Sequence, residues 1–102
     1  MALIHYENEN YDELIKEGIV VVDFFATWCG PCKMLGPIIE NLGNSMGNVK
    51  FIKIDVDKNE DLARRYGVMS IPTIIFFKDG KEVEKHIGFI TENGIKEIIS
   101  RL

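Results

Sequence analysis

The chain has 102 residues, 46% of them hydrophobic and 27% charged, with a formal net charge of −4. This predicts one folded domain over residues 1–102 with a sizeable core, and it excludes a disordered chain. The acidic balance argues against nucleic-acid binding, which needs a basic face, and no run approaches the ~20 apolar residues that span a bilayer.

Taken in order, the residues alternate between two periodicities. "ALIHY" (2–6) reads as a weak strand. "NENYDELIKEG" (8–18) reads as a short helix, with Asn10 and Glu13 spaced as a capping box and Gly18 as its end. "IVVVDFF" (19–25) is a continuous β-rich run, as expected of a strand covered on both faces. A helix is predicted from Gly30 to about Met46, with Leu35, Ile38, Ile39, Leu42 and Met46 on one stripe. Pro37 falls inside it and predicts a kink rather than a stop.

"NVKFIKIDV" (48–56) is the next strand. Asp57 with Glu60 suggests a cap for a helix carrying Leu62, Ala63 and Tyr66 and closing at Gly67. "TIIFF" (73–77), "KDGK" (78–81) and "EVEKHIGF" (82–89) read as a hairpin turning at Asp79-Gly80. A last amphipathic helix begins near Thr91, with Ile95, Ile98, Ile99 and Leu102 on one face. The order β-α-β-α-β-α-β-β-α predicts an α/β fold: a central mixed five-stranded sheet flanked by four helices.

The only two cysteines are Cys29 and Cys32, in "FFATWCGPCK". The start of the chain shows no basic leader or apolar signal core, so the expected compartment is the cytoplasm. There, a lone pair of thiols points to catalysis or metal binding before a structural staple. Zinc is disfavoured because the pair supplies two ligands, and His5 and His86 lie far off in sequence. A structural disulfide closing so small a loop would stabilise weakly.

Residues three apart at a helix start share a face, so the two sulfurs can meet. Cys29, at the N-terminus, is expected to be favoured as a thiolate by the unpaired N–H groups and the helix dipole. Cys32, one turn in, is expected to be more enclosed. Cys29 then attacks a substrate disulfide and Cys32 resolves the mixed disulfide. Pro31 suits a first helical turn, and Gly30 leaves room for another backbone. Asp23 lies within an apolar run. Burial there predicts a raised pKa, suited to accepting and returning a proton near neutral pH.

"VVDFFATWCGPCKMLGPII", "KIDVDKNEDLARRYGVMSIPTIIFFKDG" and Gly88 together resemble the thioredoxin family over almost the whole chain. The Gly-Pro between the cysteines resembles its reducing branch. The resemblance implies a protein-disulfide reductase with Cys29 as nucleophile, Cys32 as resolving thiol, and Asp23 as the buried carboxylate that deprotonates Cys32. Lys53 is implied as the partner of Asp23, and Pro72 as a cis-proline facing the disulfide. Ile71 is implied to offer its backbone to a bound substrate strand. Trp28, Gly30, Pro31, Ile71, Pro72 and Gly88 would form a flat apolar docking patch.

The resemblance further implies no bound cofactor and disulfide-containing protein substrates. Electrons would come from NADPH or ferredoxin through a thioredoxin reductase, and a monomer is expected. A binding module with idle thiols and a reductant dedicated to one partner are the alternatives. Three positions depart from the family's usual pattern and bear on partner preference: Phe25 stands where Trp is common, Met69 where a basic residue is common, and Ser70 where Gly is common.

Overall fold

The computed structural model describes residues 3–102. Five strands and four helices form among these residues: β1 (Leu3–His5), α1 (Tyr11–Leu14), β2 (Ile19–Phe25), α2 (Gly30–Ser45), β3 (Val49–Asp55), α3 (Glu60–Arg65), β4 (Thr73–Lys78), β5 (Lys81–Ile87) and α4 (Glu92–Ser100). The sheet order is β1-β3-β2-β4-β5. β1, β3 and β2 run parallel, and β4 and β5 are antiparallel to their neighbours. This is the mixed five-stranded sheet with four helices that the sequence predicts. No helix among the described residues is long and apolar enough to cross a membrane.

Alternation along the strands splits the core into two layers. Val21, Phe51, Ile74 and Phe76 face α2 and α4 and pack on Leu35, Ile39, Ile95 and Ile98. Val20, Val22, Phe24, Ile52, Ile54 and Ile75 face the other way, onto Tyr11, Ile15 and Leu62. With helices on both faces, the central strands can be apolar at almost every position. Asp23 is the exception on β2.

Several boundaries differ from the expectation. Of the first predicted strand, Leu3–His5 is observed, and Ala2 lies outside the described residues. α1 has four residues, and Ile15 is its C-cap rather than Gly18. Gly18 instead turns the chain into β2 at φ +72°. Its N–H donates to the Asp79 carboxylate, and the Asp79 N–H donates to its carbonyl. The loop before β2 is thus fastened to the tip of the β4–β5 hairpin.

That hairpin turns at Asp79-Gly80 as predicted. Both residues have positive φ, the type I′ geometry that matches strand twist. α3 is capped at Asn59, not Asp57, and the Asn59 side chain makes no capping bond. Asn59 and Asp57 are used elsewhere: the Asn59 amide donates to the Asp55 carbonyl, and the Asp57 carboxylate accepts from the Trp28 indole. At the other end of α3, Gly67 takes φ +64° and Val68 N–H returns to the Ala63 carbonyl, a Schellman closure. α2 runs unbroken through Pro37.

Gly43 lets β1 approach α2. A Cβ placed there would sit 2.8 Å from the Leu3 Cβ, closer than side chains pack. Gly43→Leu should therefore lower stability by about 1–3 kcal/mol through overpacking. Denaturant titration measures this; an unchanged midpoint would mean that Leu3 gives way to the larger side chain without cost.

Candidate active site

β2 ends at Phe25, and a short uncharged turn carries the chain into α2. Cys29 is the N-cap of that helix, in extended conformation, and Pro31 lies in the first turn. The N–H that Pro31 lacks is one that a helix start leaves unpaired. Cys29 carbonyl accepts the first intrahelical bond, from Lys33. Its Sγ accepts the N–H of Cys32 at 3.2 Å, as a serine or aspartate would at an N-cap. The two sulfurs are joined in a disulfide, with their Cα atoms 5.2 Å apart.

The expected difference in burial between the thiols is not observed. Cys29 is 6% exposed and Cys32 5%. Position in the helix separates them in sequence, but Cys29 is covered from outside the helix. It packs with Ala26, Cys32 and Ile71, and its Sγ lies 3.8 Å from the Ile71 carbonyl oxygen.

Ile71 is held there by its neighbours. The Ile71–Pro72 peptide bond is cis, the isomer that the family resemblance implies. Thr73 Oγ1 donates to the Ser70 carbonyl, closing the turn below it. Gly88, at φ +96°, ends β5 two residues short of the predicted strand, and its N–H donates to the Pro72 carbonyl at 2.8 Å. These segments come from the α2 start, the turn before β4 and the end of β5.

Of the six residues predicted to form a docking patch, Trp28, Gly30 and Pro31 are exposed, and Ile71 and Gly88 are half-buried. Pro72 is buried, so it supports this surface from beneath. A Cβ on Gly30 would meet nothing within 4 Å, so the space beside Gly30 is open. Trp28 is 68% exposed, and its Nε1 donates to Asp57 at 2.8 Å. The hydrogen bond to Asp57 holds the exposed ring in one orientation beside the cysteine pair. The sequence reading missed Asp57 in this role. Its closeness to Glu60 drew it into a capping motif, and nothing local pairs it with a tryptophan 29 positions away.

Asp23 is 1% exposed, and both carboxylate oxygens lack a hydrogen-bond partner among the described residues. Loss of water raises its pKa from 3.8 to about 7, against a smaller opposing pull from the Lys53 charge. Lys53 pairs with Asp23 in register across β2 and β3. Its ammonium makes no hydrogen bond to the carboxylate; it lies over the Phe25 ring, 4.9 Å from the centroid. The relation between the two is thus a field across the sheet rather than an ion pair.

The histidines do not join this site. His5 is on β1 and His86 on β5, the opposite edges of the sheet. Among the described residues, no group of three or more His, Cys, Asp or Glu is placed to hold a metal ion.

Residues 2–101 match the family model described as Thioredoxin. The thioredoxin of Bacillus subtilis is 43% identical, over 99% of this chain and 98% of that one. That of Staphylococcus haemolyticus is 45% identical over the same shares. Among solved structures, a mutant thioredoxin from Halobacterium salinarum superposes with a TM-score of 0.88 at 38% identity, covering 97% of this chain and 88% of that one. The oxidised mitochondrial thioredoxin 3 of Saccharomyces cerevisiae gives 0.82 at 39% identity, covering 90% and 87%. With its cysteine pair at bonding distance on the helix start, the chain belongs to the thioredoxin family and is a protein-disulfide oxidoreductase that works by dithiol–disulfide exchange.

Proposed function

We propose that residues 1–102 form a single-domain general reductant of protein disulfides, with the following division of labour. A substrate segment docks over Trp28, Gly30, Pro31, Ile71 and Gly88, using the backbone of Ile71 for main-chain pairing. The Cys29 thiolate attacks one sulfur of the substrate disulfide. The substrate S–S bond breaks, a Cys29–substrate bond forms, and the departing thiolate takes a proton. Asp23, ionised, accepts the proton of Cys32. The Cys32 thiolate then attacks the Cys29 sulfur and expels the second substrate thiolate, which is protonated in turn. Two electrons have passed to the substrate, and the protein is left as the Cys29–Cys32 disulfide.

The observation that carries this reading is Cys29 at the N-cap of a 16-residue helix, its sulfur accepting a backbone N–H and facing the Ile71 carbonyl. That N–H and the helix dipole favour negative charge on this sulfur over its partner. The dithiol itself holds the electrons, so the cycle calls for no bound cofactor. A thioredoxin reductase drawing on NADPH, or a ferredoxin-linked one, would regenerate it. The place of work is the cytoplasm, and the working form is a monomer.

The test is reduction of a disulfide-bonded protein in the presence of NADPH and a flavin-dependent thioredoxin reductase. The chain should accelerate it, and the same chain with both thiols alkylated should not. Equal rates would sink the reading and favour a binding module with idle thiols.

A further inference from the structure

A cleft of about 330 Å³ opens beside Cys32. One wall is a single face of α2, where Cys32, Gly36 and Glu40 follow one another at intervals of four. The other wall is the end of the sheet, with Phe25 and Lys53. The charged groups around it are Lys33 and Glu40 from α2 and Lys53 from β3; His5, Glu7, Asp55 and Lys58 line a neighbouring cleft that shares Phe25, Thr27 and Lys53 with it.

Gly36 is the unexpected member. It is buried inside the longest helix, where glycine costs about 1 kcal/mol relative to alanine. Close packing does not demand it, in contrast to Gly43. A Cβ at position 36 would touch one atom within 4 Å, the Lys53 Nζ, at an ordinary contact distance of 3.5 Å. The ammonium therefore lies against the bare backbone of α2, in the space that a longer side chain at 36 would fill. The same ammonium sits over Phe25, one strand from Asp23.

We infer that Gly36 is a positioning residue: by leaving this wall of the cleft bare, it keeps the Lys53 ammonium on the Asp23 side of the sheet. The inference rests on the reading of Asp23 as the proton acceptor for Cys32. Leucine at 36 would occupy the ammonium's place and drive it toward bulk water. Alanine would only strip water from one side of it, a weaker push in the same direction. Moving a positive charge away from a buried carboxyl disfavours the ionised form, so the Asp23 midpoint must rise. Asp23 would then be ionised in fewer molecules at neutral pH, and resolution by Cys32 would need a higher pH.

The experiment follows the Asp23 carboxyl carbon by NMR against pH in the oxidised protein. The variants are wild type, Gly36→Ala and Gly36→Leu, each with and without Lys53→Met. The midpoint should rise in the order Gly, Ala, Leu, by roughly half a unit to one unit for leucine. Lys53→Met should raise it by a similar amount, and the Gly36 changes should add nothing in that background. The pH profile of mixed-disulfide resolution should move up in parallel. An unmoved midpoint in the Gly36 variants, or the same rise without Lys53, would overturn the inference. Should the leucine variant fail to fold, the alanine variant decides. The titration reads Asp23 directly, so it stands even where the reductase assay fails, and the two ideas can fall separately.

Discussion

Cys32→Ser should stop turnover while leaving the first step intact, and it should accumulate a covalent complex with substrate through Cys29. A serine hydroxyl at position 32 cannot supply a nucleophile near neutral pH, so the mixed disulfide has no internal exit. With NADPH and a reductase as the only electron source, steady-state reduction should fall by roughly three orders of magnitude or more. Non-reducing mass spectrometry should find one substrate chain attached at Cys29. Cys29→Ser should be as inactive, yet form no adduct. The asymmetry follows from the N-cap, since only the Cys29 sulfur accepts a backbone N–H at the helix start. Both thiols are buried to nearly the same extent, so exposure does not assign the roles, and electrostatics must. Adducts at Cys32 in the Cys29→Ser protein would reverse the assignment.

The parts of this site that were legible in the sequence are those made within one element or one turn. Cys29, Gly30, Pro31 and Cys32 obey helix-start chemistry, and that chemistry can be read from four consecutive residues. Asp23 was legible for a different reason. The apolar residues around it leave no solvent face, and the structure buries it between two covered layers. What could not be read directly depends on how distant segments meet. The enclosure of Cys29 by Ile71 and the bond from Trp28 to Asp57 belong to this class. So does the approach of Lys53 to Gly36. The expected Asp57 cap and the expected Gly18 helix end went wrong in the same way. Each residue is spoken for by a partner 29 or 61 positions away, and a local motif cannot outbid a tertiary hydrogen bond. The type I′ turn at Asp79-Gly80 lies where the dipeptide predicts it, because positive φ at both residues is a local preference that the bonds from Asp79 to Gly18 reinforce rather than redirect.

Asp23→Ala should make the protein more stable and a poorer reductant, with the stability gain confined to one pH range. The carboxyl is 1% exposed, without a hydrogen-bond partner among the described residues, and burial raises its pKa from 3.8 to about 7. The folded protein therefore binds this proton more tightly than the unfolded chain does. Below about pH 4 the group is protonated in both states and costs no linkage energy. Between about 4 and 7 the unfolded chain releases the proton and the folded one retains it, so stability falls as pH rises. Above about 7 the whole penalty is present. At about 1.4 kcal/mol per pH unit it is on the order of 4 kcal/mol. Neighbours such as Val21, Phe51 and Ile74, worth about 1.5–3 kcal/mol each when fully buried, outweigh it, which is how the fold tolerates the charge. Alanine removes the penalty but leaves a small void, so the net gain at pH 8 should be about 2–4 kcal/mol, vanishing near pH 4. Denaturant titrations of both proteins at the two pH values measure it; a gain of equal size at both would mean that packing, not ionisation, is responsible. Kinetically, the variant should form mixed disulfides at nearly the wild-type rate and resolve them more slowly at neutral pH, because Cys32 loses its proton acceptor. Equal slowing of both steps would remove Asp23 from the proton path. Both outcomes together would explain why an acid is kept where the core would be stronger without it: burial without a hydrogen-bond partner holds this carboxyl near neutrality, where it can take up and return a proton.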